Sequence, residues 1–197
     1  FIKDVMRFLD NVLTDFIEKA PEHFKDATYS ALRERSVGLG VMGFHSLLQQ
    51  KMIPIESVMS KVWNKKIFEH IQKEVDQSSK DLAEARGPCP DAADYGIKER
   101  FSNKTAIAPT ASISIICGGT SPGIEPIAAN SYTHKTLSGS FNVRNKYLQK
   151  ILEKYNKNND EIWSSITTNE GSVSHLDFLT NEEKDVFKTA FEINQKW

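Results

Sequence analysis

The feature that most constrains this chain is a proline near its middle, followed by small and hydroxyl-bearing residues. The apolar residues 106–108 predict a short buried strand, which Pro109 ends because proline has no N–H to donate to a sheet. The residues after the proline are Thr110, Ala111, Ser112, Ile113 and Ser114. A turn of such residues directs several backbone N–H groups one way, with hydroxyls beside them, which suits a phosphate. The alternative is an ordinary strand-to-helix turn with a Thr or Ser cap.

A glycine-rich motif, Gly-x-Gly-x-x-Gly at residues 38–43, raises the alternative of a dinucleotide-binding loop. Residues 32–35 before it are charged and make a poor buried strand. Met59 and Ser60 stand where such loops need an acidic residue, about 20 positions further on. We therefore interpret the glycines as letting a helix over residues 42–50 pack closely on its neighbours.

Three ordered blocks of the sequence carry a resemblance to a known family. They are Pro-Thr-Ala-Ser-Ile-Ser with Gly-Ile-Glu-Pro at residues 109–114 and 123–126, Arg-Ser-Val-Gly-Leu-Gly-Val-Met-Gly-Phe at 35–44, and Arg-Gly-Pro-Cys-Pro at 86–90. In order and spacing they resemble the large (alpha, catalytic) subunit of ribonucleotide reductase, and class I enzymes most closely. The likeness covers residues 1–155 well and the remainder weakly.

The resemblance implies an α/β fold, the ten-stranded α/β barrel of that family. We expect residues 1–197 to be a helix-rich portion of this barrel domain, incomplete on its own and without an internal domain boundary. Because a helical pattern is already running at Phe1, we expect an interior or C-terminal-half fragment of the large subunit, or one piece of a split protein.

The resemblance also implies a function, the reduction of ribonucleotides to deoxyribonucleotides by a thiyl-radical mechanism. The radical and reducing cysteines of the family find no match here, so no catalytic residue is expected in this chain. The segment is expected to build the barrel and to anchor the substrate phosphate. The expected phosphate-binding residues are Pro109, Thr110, Ala111, Ser112, Ile113 and Ser114.

The cofactors and partners follow from the same resemblance. We expect no cofactor in this chain itself, whereas the family uses ATP and dNTP effectors, a thioredoxin- or glutaredoxin-type reductant, and a metal-radical cofactor in a small subunit. The expected partners are a ribonucleotide substrate, the remaining portions of the large subunit, the radical-generating small subunit and a second large subunit in a homodimer.

Two other interpretations stay open at the level of sequence. A cobalamin-dependent ribonucleotide reductase would share the barrel and a similar loop. A non-catalytic helical binding or assembly module would use the central turn only as structure.

Composition and charge exclude several classes of function. Lys and Arg number 25 against 26 Asp and Glu, giving a net charge of −1, so no basic field favours nucleic acid or an anionic membrane. No apolar run approaches the ~20 residues of a membrane span. Two cysteines do not suggest a secreted disulfide scaffold, and we expect a cytoplasmic location.

The cysteines and histidines show no catalytic or metal-binding pattern. Cys89 lies between prolines without an activating neighbour, and Cys117 is predicted to be a small buried filler. His45 and His70 have no second ligand at metal spacing, and His70 is expected at the surface or packed.

Periodicity and capping signals predict the remaining elements. The predictions are helices near 1–20, 42–50, 57–85 and 143–155, a helix after a capping box at 180–183, a strand over 131–138, and a polar connection over 91–104. The first helix is predicted to bury Phe1, Val5, Phe8, Leu9, Val12, Leu13 and Phe16. The long helix after Ser57 is predicted to bury Val58, Val62, Ile67, Phe68, Ile71, Val75 and Leu82.

Overall fold

The computed structural model describes residues 1–136 and 139–197, and most of these lie in helices and their connections. The helices are α1 (Ile2–Lys19), α2 (Lys25–Glu34), α3 (Phe44–Gln50), α4 (Val58–Arg86), α5 (Pro90–Asp94), α6 (Ala111–Ile116), α7 (Lys146–Lys154), α8 (Asp160–Thr168) and α9 (Asn181–Val186). A 3-10 helix at Glu22–Phe24 precedes α2, and the strands are β1 (Ser131–Thr136) and β2 (Gly139–Arg144).

These residues group into two compact units. The first unit comprises 1–40 and 64–108, and the second comprises 41–63 and 109–197. The assignment of the whole chain to one barrel domain without an internal boundary stays a prediction.

The first unit contains α1, which ends where the sequence predicts. Ala20 takes an extended conformation after Lys19, as expected for a residue that precedes Pro21. The buried core of this unit is built from Met6, Val75, Leu82 and Phe101, and Leu9 of the predicted stripe packs against it.

The prediction that the α1 stripe is buried is wrong for four of its seven residues within the described part of the chain. Val5, Leu9 and Leu13 are half-buried, whereas the other members are exposed. The exposed members are Phe1, Phe8, Val12 and Phe16. Periodicity shows which residues share a face of a helix, but not which neighbour covers that face.

A parallel bridge joins Leu39 to Thr105 in the first unit. A Cβ on Gly38 would lie 2.8 Å from the Cβ of Ala106, and one on Gly40 would lie 2.7 Å from the Ala106 carbonyl oxygen. These two glycines therefore admit a neighbouring extended segment, rather than the close helix packing that we expected of them.

The buried strand predicted at 106–108 is wrong. Ile107 is 65% exposed, and the residues on either side are exposed as well. Only Thr105 forms a bridge there, since Pro109 limits how far the segment can pair. The described ranges contain this bridge and a two-stranded sheet, so the predicted ten-stranded barrel is not seen within them.

The long helix α4 matches its predicted bounds to within a residue. Its start is capped as expected, because the Ser60 N–H donates to Ser57 Oγ at 3.2 Å. Val75 and Leu82 are buried as predicted. Val58 and Val62 are not: Val58 is 71% exposed.

The second unit has a core formed by its C-terminal helices. Helix α7 contributes Leu148, Ile151 and Leu152, and α8 contributes Trp163 and Ile166. Further members are Val173, Leu176, Leu179, Val186 and Phe187. The sequence analysis did not predict α8.

In the second unit, the predicted cap of α9 is confirmed and the predicted start of α7 is corrected. Thr180 and Glu183 form the predicted capping box of α9. Helix α7 begins at Lys146 rather than at 143, because Asn145 accepts hydrogen bonds from the N–H groups of Tyr147 and Leu148. Val143 belongs to β2.

Strands β1 and β2 form an antiparallel hairpin. Ser131 pairs with Arg144 and His134 pairs with Phe141. The predicted strand is confirmed as far as Thr136, while Leu137 and Ser138 lie outside the described residues. The sequence analysis did not predict β2, because four of its six residues are polar, charged or glycine.

Two smaller findings complete the fold. The polar connection predicted at 91–104 contains the short helix α5, which starts at Pro90. Across residues 1–136 and 139–197, no helix is both long enough and apolar enough to cross a membrane.

Candidate functional site

The central turn adopts a strained conformation that starts a helix. Thr110 has φ +50°, in the left-handed region, and α6 begins at Ala111. Proline supplies the rigid residue just before this reversal. The turn leads into a helix, as in the alternative interpretation, but without the expected side-chain cap from Thr110.

The first residues of α6 point unused donors outward. Ala111, Ser112 and Ile113 are exposed. In helix geometry their N–H groups have no acceptor within the helix, and they carry its positive end. An anion can therefore approach them directly.

Ser114 plays a different part within the turn. Its N–H donates to the Thr110 carbonyl at 2.9 Å, and its hydroxyl donates to the Ala111 carbonyl at 3.1 Å. The side chain is buried, with 3% exposure. Ser114 thus holds the turn together instead of presenting a free donor.

The Thr110 hydroxyl lies between the turn and the glycine-containing segment that follows. Its oxygen accepts a hydrogen bond from the Gly123 N–H at 2.8 Å. The hydroxyl proton is left to donate elsewhere. The block Gly-Ile-Glu-Pro therefore contacts the turn directly, which its sequence position alone did not predict.

Ser121 is attached to the start of α3 by reciprocal bonds. Ser46 N–H donates to Ser121 Oγ at 3.1 Å, and Ser121 N–H donates to Ser46 Oγ at 2.8 Å. Gly43 N–H also donates to the Ser121 carbonyl at 2.8 Å. We call Ser46 and Ser121 the serine clamp.

His45, next to the clamp, is a buried neutral acceptor. Its Nδ1 accepts the Ile127 N–H at 3.0 Å. Burial lowers the pKa of His45 from 6.5 to about 4, because an imidazolium loses its hydration there. The ring serves structure at neutral pH.

The two cysteines differ in exposure. Cys117 is exposed, so its prediction as a buried filler is wrong, while Cys89 is buried. Cys117 follows the last turn of a short helix and has glycines after it, which leaves its side chain uncovered. Among the described residues no three His, Cys, Asp or Glu side chains group as metal ligands. That no residue of this chain is catalytic or binds a metal stays a prediction.

A buried charged cluster in the first unit was missed by the sequence reading. Asp10 Oδ1 accepts from Arg35 Nη2 at 2.7 Å and Arg100 Nε at 2.8 Å, and its Oδ2 accepts from Arg86 Nη1 at 2.7 Å. We call these four residues the Asp10 cluster. Burial acts to raise the pKa of Asp10, but the arginine hydrogen bonds outweigh burial and lower it. The available signal was the position of Asp10, four residues after the buried Met6.

Comparison with known proteins identifies the family. A family model described as the ribonucleotide reductase barrel domain matches residues 1–99 and 91–197. The chain therefore belongs to the ribonucleotide reductase barrel-domain family. The sequence resemblance to the large subunit is confirmed.

Particular relatives sharpen this assignment. Ribonucleoside-diphosphate reductase large subunits of Invertebrate iridescent virus 6 and virus 3 are 51% and 49% identical over 100% and 99% of this chain. The class Id ribonucleotide reductase alpha subunit of Actinobacillus ureae has a similar structure, with TM-score 0.86 and 38% identity over 95% of this chain. The chain spans 21% and 31% of the two viral relatives and 34% of the bacterial one.

These relatives favour one of the alternatives that the sequence left open. Their names describe diphosphate reductase large subunits and a class Id alpha subunit, which favours the class I interpretation over a cobalamin-dependent one. Family membership also opposes an independent binding module.

Proposed function

We propose that this chain is part of a ribonucleoside-diphosphate reductase large subunit, which reduces ribonucleotides to deoxyribonucleotides by a thiyl-radical mechanism. Relatives at about half identity over the whole chain support this activity. The rest of the large subunit supplies the reacting cysteines and completes a ten-stranded α/β barrel.

Within that protein, this segment anchors the phosphate of the substrate. The N–H groups of Ala111, Ser112 and Ile113 and the Thr110 hydroxyl are the donors, and Pro109 shapes the turn. One observation carries this proposal: an exposed helix start follows directly on a left-handed Thr110 that Gly123 holds in place. Ser114 contributes by closing the turn from inside.

The partners and cofactors belong to the same proposal. The large subunit acts with a small radical-generating subunit that carries a metal-radical cofactor, and with a thioredoxin- or glutaredoxin-type reductant. It forms a homodimer, responds to ATP and dNTP effectors, and works in the cytoplasm. This segment itself binds no nucleic acid.

The test places a negative charge among the proposed donors of the full-length large subunit. Ser112→Asp puts a carboxylate in the first turn of α6, where the helix itself tolerates it well. Repulsion should raise the Kd for CDP roughly 10- to 100-fold, since like charges a few Å apart near a protein surface repel by several kcal/mol. Binding of cytidine, which has no phosphate, should not change. Isothermal titration calorimetry measures both ligands.

Ser112→Asn is the matched control, because it has nearly the same shape without the charge. It should bind CDP within about threefold of the wild type, as expected for an exposed substitution. Equal affinities of Ser112→Asp and Ser112→Asn for CDP would show that this turn does not bind the phosphate.

A further inference from the structure

The residues that hold the proposed phosphate-binding turn in place are not the residues that would donate hydrogen bonds to the phosphate. Ser121 makes three hydrogen bonds to residues 43–46: its carbonyl and hydroxyl accept, and its N–H donates. Ser46 and Ser121 are 5% and 2% exposed. A hydrogen bond lost at such depth leaves a polar group unsatisfied, because water cannot replace the partner.

The clamp is connected to both sides of the turn. Gly123, two residues after Ser121, donates its N–H to Thr110 Oγ1. Thr120, the residue before Ser121, donates its N–H to the Ser114 carbonyl at 3.1 Å. The position of Ser121 therefore determines where the beginning and the middle of α6 are held.

The third glycine of the Gly-x-Gly-x-x-Gly motif makes this approach possible. Gly43 has φ +82°, and a Cβ at that position would lie 2.5 Å from Thr120 Oγ1. A larger residue would be strained at this φ, and its Cβ would displace the Thr120 side chain next to Ser121. The last glycine of the motif thus makes room for the segment that contacts the turn, a role that involves no dinucleotide.

We infer that Ser46 and Ser121 are positioning residues for substrate phosphate binding. They touch no phosphate themselves; they orient the Ala111, Ser112 and Ile113 N–H groups through Gly123 and Thr110. This inference rests on the proposed function. It adds that affinity for the phosphate depends on a buried hydrogen-bonded pair at the start of α3.

The test uses the large subunit reconstituted with its small subunit and a dithiol reductant, with CDP as substrate. Ser46→Ala removes the acceptor of the Ser121 N–H, and Ser121→Ala removes the acceptor of the Ser46 N–H. Each should raise KM for CDP about tenfold, while kcat stays within about threefold, because the lost order weakens binding more than chemistry. The double variant should raise KM by less than the product of the single effects, since both changes release the same segment.

Ser78→Ala is the matched control. Ser78 is also buried, and its hydroxyl donates to the Glu74 carbonyl within α4. This variant makes the same chemical change in the first unit and should lower thermal stability without moving KM. A merely structural role of the clamp would give all three variants the same unchanged KM.

The outcomes separate this inference from the proposed function. Raised KM in both clamp variants and not in Ser78→Ala supports it. Unchanged KM in folded clamp variants overturns it; if Ser112→Asp still weakens CDP binding, the proposed function stands. If Ser112→Asp also has no effect, both fail.

A measurement on the wild type decides the case in which neither clamp variant folds. CDP should slow hydrogen exchange in the peptide covering residues 43–47 together with that covering 109–116, whereas cytidine should slow neither. Protection confined to 109–116 would overturn the inference.

Discussion

Each unit contains a concentrated polar centre, and these two centres, the Asp10 cluster and the serine clamp with the turn it holds, differ in how far their hydrogen bonds are satisfied. In the first unit, the Asp10 carboxylate is buried and takes donors from three arginines. In the second, the serine clamp is buried and neutral, whereas the N–H groups at the start of α6 are exposed and open. Both oxygens of the Asp10 carboxylate already accept hydrogen bonds, whereas the N–H groups at the start of α6 stay available to an anion.

The two centres also differ in how much stability is lost when one of their contacts is removed. Two of the guanidinium groups around Asp10 are largely buried, with side-chain exposures of 6% for Arg35 and 11% for Arg100. Removing the carboxylate that faces buried charges of this kind is strongly destabilising. The turn in the second unit depends instead on single neutral hydrogen bonds, each with a smaller effect on stability.

The largest effect is expected from breaking the saturated centre. Asp10→Asn keeps the shape of the side chain but removes the negative charge that faces Arg35, Arg86 and Arg100. The free energy of unfolding should fall by about 3–5 kcal/mol, as when one partner of a buried ion pair is removed. Denaturant unfolding of the full-length protein measures this loss, and the folded fraction should bind CDP as before.

Asp15→Asn provides the control on the same helix. Asp15 pairs with Lys19 at the exposed surface, where removal of a charge has little effect. Equal losses for Asp10→Asn and Asp15→Asn would show that the Asp10 cluster does not stabilise the first unit, and the contrast between the units would disappear.

The next effect comes from His45, which supports the second unit as a neutral acceptor. Its folded pKa, about 4, lies below the ordinary 6.5, so the unfolded chain takes up the proton first as pH falls. The contribution of His45 to the free energy of unfolding should therefore be complete above about pH 6.5 and should decline as the pH falls to about 4. The loss should be about 3 kcal/mol, at 1.36 kcal/mol per pKa unit. Urea unfolding at successive pH values measures it.

The variant His45→Gln distinguishes the effect of His45 on stability from that of carboxylates that take up protons over a similar pH range. The amide oxygen of glutamine can accept the Ile127 N–H without titrating, so most of the decline between these pH values should vanish. His70→Gln, at an exposed position of α4, should leave the decline in place. If both variants keep the wild-type profile, His45 is not the group responsible.

Local signals predicted much of the fold. Pro21 ended α1, Ser57 started α4, and Thr180 with Glu183 started α9, because each acts on backbone groups within a few residues. The exposure of the α1 stripe could not be predicted in this way. It depends on which neighbours cover a face, and that is set by residues distant in the chain.

The same limit applies to the sites. The turn at Thr110 was visible in sequence, since proline and small hydroxyl residues act locally. The partners of Asp10 lie 25, 76 and 90 residues away, and the Ser46–Ser121 bonds span 75 residues. No local pattern reports such pairings. The prediction that Cys117 is buried was wrong for a related reason, since apolar neighbours in sequence do not guarantee burial.

The smallest effects distinguish the two cysteines, one in each unit. Cys89 is completely buried, and Cys89→Ser places a hydroxyl there, which should cost about 1–3 kcal/mol of stability. Cys117 is exposed, and Cys117→Ser should stay within about 0.5 kcal/mol. Thermal melting of the two full-length variants measures the contrast, and a larger loss for Cys117→Ser would mean that this side chain is covered in the complete protein.

Measuring the turnover of Cys89→Ser and Cys117→Ser gives a second test of the two cysteines. Neither thiol has a place in the proposed thiol chemistry, so both variants should reduce CDP at rates within a few-fold of the wild type. Loss of a reacting nucleophile lowers kcat by about 10³-fold or more. A loss of that size in Cys117→Ser with normal melting would place the exposed thiol in the reaction, and the turn in the second unit would then be a site of chemistry as well as of binding.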